Sequence, residues 1–191
     1  MTRDSVNRED GRCSRGVKRR AALLSAALRV AENSGVAEVG LRSVARESSA
    51  APSLVGYHFS DRAVLLDSLS RYTAAQFEAR VSEVTAGVAD RLEMLAAVIA
   101  DASGASRRRV LVEYELALLA ARGMHLVEPD LGWPRLLART VRDMTEEPLA
   151  VMRATDEIEG LRLRAVIGSE RLRTRDVLER IEQILLPHQE L

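Results

Sequence analysis

Residues 41–66 read LRSVARESSAAPSLVGYHFSDRAVLL. Leu41, Val44 and Ala45 make the apolar stripe of a short helix running from about Leu41 to Ser48. Ser48-Ser49-Ala50-Ala51 is a compact connection of small residues. Pro52 suits a first helical turn, where its missing N–H costs nothing. Ser53 to Phe59 forms the next short helix, with Val55 and Phe59 one turn apart, and Ser60 or Asp61 caps the helix that follows. Two short helices joined by a tight turn have the spacing of a helix-turn-helix.

Working outward, Ala21, Leu24, Leu28 and Ala31 recur at helical spacing from Val17 onward. Asn33-Ser34-Gly35 ends that helix, with Gly35 suited to a left-handed cap. Residues 1–16 are polar and glycine-punctuated and are expected to be a mobile arm. The first two short helices supply a small core that presents the third to a major groove about 12 Å wide.

Downstream, a long helix is expected from Asp61 to about Thr85, then one over Val88–Ala102 with Leu92, Leu95, Ala96 and Ile99 on one side. Further helices are expected at Arg107–Gly123, Leu136–Met144 and Pro148–Gly168, and from Thr174 to before Pro187. The expected organisation is an arm (1–16), a helix-turn-helix unit (17–62) and a larger helical domain (63–191). Aromatic residues are only 3% of the 191, and the common residues Leu, Ala, Arg and Glu are strong helix formers, so the fold class is all-α.

Net charge is zero but unevenly spread: residues 1–62 hold 11 Lys+Arg against 7 Asp+Glu, a difference of +4, and residues 63–191 carry −4. A basic N-terminal third fits local contact with a polyanion, and equally a plain solvated surface. The single Cys13 forms no internal disulfide, which fits a reducing cytosol. The N-terminus has no apolar signal segment, and no apolar run reaches the roughly 20 residues of a membrane span, so a soluble, cytoplasmic protein is expected. His58, His125 and His188 are far apart, and no His-Glu-x-x-His, Cys-x-x-Cys, Gly-x-Ser-x-Gly or phosphate-loop motif occurs. Neither catalysis nor a metal or other cofactor is expected.

Residues 17–66 resemble the TetR family of bacterial repressors. The resemblance rests on an ordered set: Lys18-Arg19-Arg20, the helix Ala21–Ala31, Gly35, the pair Val44-Ala45, the run Pro52-Ser53-Leu54-Val55-Gly56-Tyr57-His58-Phe59, and Ser60-Asp61-Arg62-Ala63-Val64-Leu65-Leu66. The stretches Glu113–Arg122 and Ile158–Arg164 resemble parts of some family members. Three positions depart from the family pattern. Gly40 replaces the usual Thr N-cap, Ser48-Ser49 replaces Ala-Gly in the turn, and Gly56 replaces a frequent Tyr. A non-glycine in that turn must tolerate a strained or left-handed conformation, and Gly56 weakens the third helix by about 1 kcal/mol.

The resemblance implies a homodimeric, ligand-responsive repressor bound to double-stranded operator DNA and released by a small-molecule effector, with no membrane partner. It implies DNA contacts from Lys18, Arg19, Arg42, Ser53, Leu54, Gly56, Tyr57, His58 and Arg62. Arg62 would bind a phosphate. His58 and Tyr57 have packing roles as alternatives, and Arg19 and Arg20 have plain solvation. An effector cavity would be lined by Met94, Tyr114, Leu118, His125, Trp133, Leu137 and Met152, with ordinary core as the alternative for each. The last two helices would pair between copies through Leu149, Met152, Ile158, Leu161, Ala165, Val177, Ile181 and Leu185. An activator, or an all-α ligand-binding or enzymatic protein with a merely structural N-terminal unit, stays open.

Overall fold

The computed structural model describes residues 3–82, 88–124, 126 and 132–185, with side chains described from Gly16 onward except those of 82, 88 and 89. Nine α-helices and one 3-10 turn are found among them, and no strand. The helices are α1 (Arg3–Ser34), α2 (Leu41–Glu47), α3 (Pro52–His58), α4 (Arg62–Ser82), α5 (Val88–Ala102), α6 (Arg107–Ala121), α7 (Trp133–Met144), α8 (Pro148–Ile167) and α9 (Thr174–Leu185). The 3-10 turn is Val36–Glu38, between α1 and α2. Contacts divide the chain into two compact units, one of Met1–Tyr72 with Glu115–Val127, the other of Thr73–Tyr114 with Glu128–Leu191.

In the first unit α1 reaches back to Arg3, where the sequence suggests an irregular arm. Extending an existing helix adds one hydrogen bond per residue fixed, so a well-anchored helix tolerates the weak formers Gly11 and Gly16. Its buried face is Leu23, Leu24, Ala26, Ala27, Leu28 and Ala31. Ala21, expected on that face, is exposed, and Arg20 is partly buried instead. Its guanidinium lies 4.8 Å from the Phe59 ring centre and donates to Ser68 Oγ at 2.7 Å. A methyl group loses little by facing water, whereas the Arg20 guanidinium lies over the aromatic ring.

Gly40 has no side chain to cap α2, and the hydroxyl of Ser43 serves instead, accepting the Gly40 N–H at 2.9 Å. Alpha2 ends in a Schellman turn: Ala50 N donates to Ala45 O at 3.0 Å and Ser49 N to Arg46 O at 3.3 Å. Ser49 takes the left-handed position with φ of 53°, as the missing glycine requires. Pro52 opens α3, and Val55 within it and Phe59 just after it are fully buried, as are Val44, Leu65, Leu66 and Leu69. Asp61 caps α4, its carboxylate accepting the Val64 N–H at 2.9 Å, and that bond holds its pKa below the ordinary carboxylate value.

In the second unit α5 buries Leu92, Leu95, Ala96 and Ile99 and packs on α7, α8 and α9. Alpha7 begins three residues earlier than its apolar pattern suggests. Gly132 precedes it at φ 73°, Trp133 and Pro134 form its first turn, and Leu136, Leu137, Thr140 and Val141 are buried. Glu147 caps α8, its carboxylate accepting from Leu149 N at 3.0 Å and Ala150 N at 2.5 Å.

Candidate functional site

Alpha3 is too short to persist alone. It is held by Val55, at its centre, and by Phe59, the residue after its end, both without solvent exposure. The opposite side is open: Ser53, Gly56 and Tyr57 are exposed, and Tyr57 is 83% exposed. Leu54 and His58 are partly buried at the margins, the His58 ring meeting Tyr57 edge-on at 5.2 Å. Among the described residues nothing packs within 4 Å of where a Cβ would sit on Gly56, so the glycine answers to no crowding from them. Lys18 and Arg19 on α1 and Arg42 in the first turn of α2 are exposed. The open side of α3 thus offers a hydroxyl and a phenol with an imidazole at its margin, and α1 and α2 add exposed cationic groups.

Arg62 is arranged differently from the phosphate contact that its position suggests. Its Nε donates to Val39 O at 2.8 Å, and one terminal nitrogen donates to Val36 O at 3.0 Å and Ala37 O at 3.2 Å. These carbonyls belong to the 3-10 turn and the residue after it. At the other end of that turn the Glu115 carboxylate accepts the Val36 N–H at 2.5 Å. A guanidinium matches this task because its donors form a planar fork.

The second unit holds a cluster of polar groups, with Arg162 and Trp133 buried and Glu113, Tyr114 and Glu159 half-buried. Glu159 on α8 accepts from the Tyr114 hydroxyl at 2.6 Å and from the Trp133 indole N–H. Arg162, one turn along α8, is 3% exposed and pairs with Glu113 at 2.5 Å. Its guanidinium lies 4.6 Å from the Trp133 ring centre and 5.4 Å from that of Tyr114. Burial, then the hydrogen bond to Glu159 and the repulsion of that carboxylate, push the Tyr114 phenol far above its ordinary pKa, so it stays a neutral donor.

Of the expected effector-lining residues, the structure brings Tyr114 and Trp133 to this cluster, while Leu137 and Met94 belong to the adjoining apolar core. Leu118 is 62% exposed in the first unit and Met152 is 56% exposed on α8, so neither lines the cluster. His125 lies outside the described residues. Glu113, Glu159 and Arg162 were missed as site residues. Their signal was a set of charges spaced into the apolar stripes of α6 and α8, which reads locally as a solvated edge.

The expected pairing surface is also corrected. Ile158, Ala165, Val177 and Ile181 are buried in the unit's own core, and Leu161 and Leu185 pack against it. Alpha9 lays this stripe against α5 and α8. Leu149 and Met152 do face outward, joined on α8 by Leu163 and Ile167, which are 43% and 65% exposed. At 100° per residue, positions 149, 152, 156, 160, 163 and 167 share one face. Gly160 lies within this face, and among the described residues nothing sits within 4 Å of a Cβ built on it.

No group of His, Cys, Asp or Glu among the described residues is arranged to hold a metal ion, and no described helix is long and apolar enough to cross a membrane.

No family model and no curated protein matches the sequence. Solved structures do match. A member of the TetR family from Streptomyces coelicolor A3, SCO1917, superposes with TM-score 0.69 at 24% identity, covering 87% of this chain and 97% of that one. The multidrug binding protein EbrR complexed with ethidium gives TM-score 0.67 at 24% identity, with the same coverage of 87% and 97%. EbrR complexed with malachite green gives 0.66 at 24% identity. The order of helices, the helix-turn-helix within the first unit and these superpositions agree: the chain has the fold of TetR-family regulators.

Proposed function

We propose that this chain is a ligand-responsive, DNA-binding transcriptional regulator that acts in the cytoplasm as a homodimer. The observation that carries the proposal is α3, pinned from below by Val55 and Phe59 with Ser53, Gly56 and Tyr57 in solvent. In a major groove, Ser53 donates to a base edge or phosphate and Leu54 meets a thymine methyl. Tyr57, His58, Lys18, Arg19 and Arg42 take phosphates and fix the register. Arg62 serves from behind, holding the 3-10 turn. Residues 17–62 form the DNA-binding domain and 63–191 the remainder.

Two copies pair through the exposed α8 stripe of Leu149, Met152, Leu163 and Ile167, with Gly160 where the two helices cross. Two-fold symmetry then presents two α3 helices to DNA, about 34–36 Å apart on successive major grooves. A small molecule releases the DNA by binding the DNA-incompetent state more tightly. The cluster around Glu159 is its seat, and the drug complexes of EbrR support a ligand-binding role for this fold. Repression is the reading favoured, because a bound dimer overlapping a promoter blocks polymerase without further contacts.

Footprinting on the DNA upstream of the chain's own gene tests this. The expected result is a protected inverted repeat whose occupancy falls steeply with salt. Absence of protection down to low salt refutes it.

A further inference from the structure

The outward face of α8 carries an inference about how two copies recognise each other, which rests on the homodimer reading. That face is apolar at Leu149, Met152, Leu163 and Ile167, yet the helical register sets Asp156 in the middle of it. Asp156 is exposed and forms no ion pair among the described residues. Arg164 is exposed at the margin of the same face, and its guanidinium is likewise without an ion pair among them. Neighbouring charges are already matched. Arg153 pairs with Glu157 on α8 at 2.9 Å, and on α9 Arg173 pairs with Asp176 and Arg175 with Glu179. A second copy laid on this face takes Asp156 out of water, which is costly unless a cation meets it there.

We infer that Asp156 and Arg164 form reciprocal ion pairs between two copies of this chain, and that these pairs select a second copy as the antiparallel partner of α8. Asp156 lies four residues before Gly160 and Arg164 four residues after it, so the three make one row along the helix. Rows of residues four apart line up when two helices cross at about 50°, the commonest class of helix packing. With Gly160 at the crossing and two-fold symmetry between antiparallel copies, each residue of the row faces the residue equally far beyond the glycine on the other copy. Asp156 then meets the partner's Arg164, and Arg164 meets the partner's Asp156. Both charges are matched, and the exposed apolar residues flank them. A parallel alignment does the reverse, setting aspartate beside aspartate and arginine beside arginine. The row is therefore complementary to its own copy in one direction only, and a chain with other charges at these two positions is rejected.

The test is sedimentation equilibrium on the full-length chain and its charge-reversed variants. Asp156→Arg puts cations at both positions, and Arg164→Asp puts anions at both. Each variant is expected to weaken its own dimer about tenfold or more. Mixed together they are complementary at both pairs, and a heterodimer within about threefold of the wild-type affinity is expected. The doubly reversed chain, carrying both substitutions, is expected to regain its homodimer to the same degree. Far-UV circular dichroism shows whether each variant folds. If a reversal does not, Asp156→Asn and Arg164→Gln take its place and are expected to weaken the dimer in the same direction. A dimer indifferent to these changes, or a mixture no tighter than the separate variants, overturns the ion pairs and leaves the homodimer reading standing. A wild-type chain that stays monomeric overturns both.

Discussion

Arg62 shows how far a residue's identity goes and where it stops. A cation just beyond α3 is legible in the sequence, and the resemblance sends it to a phosphate. Its direction is a choice among rotamers, decided by three carbonyls of a turn more than 20 residues upstream. Arg62→Ala therefore removes three hydrogen bonds at the seat of the helix-turn-helix. It is expected to lower stability by about 1–3 kcal/mol in urea unfolding and DNA affinity about tenfold, with the slope of log affinity against log salt unchanged. A lost phosphate contact would instead flatten that slope by about one unit. A flatter slope with undiminished stability would contradict the assignment. Tyr57 is the opposite case. Its exposure follows from its place between buried Val55 and Phe59 on a short helix, and the sequence conveys it.

At the scale of elements, the helices of the first unit were legible because each carries its own punctuation. Pro52 opens α3, Gly35 ends α1, and the apolar pairs fall one turn apart. The turn between α2 and α3 was legible too, including its strain: Ser49 sits at φ 53°, in a region that costs an L-residue about 1–2 kcal/mol. Ser49→Gly relieves this, and after the entropy lost from the unfolded chain a gain of about 0.5–1 kcal/mol is expected in thermal unfolding. A destabilised variant would show that the Ser49 side chain is needed where it stands. Alpha8 was read less well. A helical period identifies an apolar face but not what covers it, and α8 has two such faces. The one with Ile158 and Ala165 is covered by the chain itself, while Leu149, Met152, Leu163 and Ile167 remain outside. Gly160 separates the two roles. A Cβ there meets nothing within 4 Å among the described residues, so Gly160→Leu should leave the fold intact or more stable. The same side chain at a helix crossing should weaken dimerisation about tenfold or more in sedimentation equilibrium. An unchanged dimer would place the interface elsewhere.

At the scale of the whole molecule, the all-α class and the order of helices were legible because both are sums of local signals. The grouping of 115–127 with the first 72 residues was not. It shows in pairings such as Glu115 with the Val36 N–H, 79 residues apart, which leave no local pattern. The cluster around Glu159 shares that difficulty, since its five residues come from three helices. The charge asymmetry, +4 in residues 1–62 and −4 beyond, was visible and fits a head that meets DNA while the rest does not. Footprinting the Tyr57→Ala variant beside wild type decides whether the exposed side of α3 reads DNA. A protected inverted repeat is expected for wild type. Tyr57→Ala should unfold within about 0.5 kcal/mol of wild type, because Tyr57 covers almost nothing, yet need about tenfold more protein for the same protection. Identical footprints from the two proteins, or none from either at low salt, would contradict it.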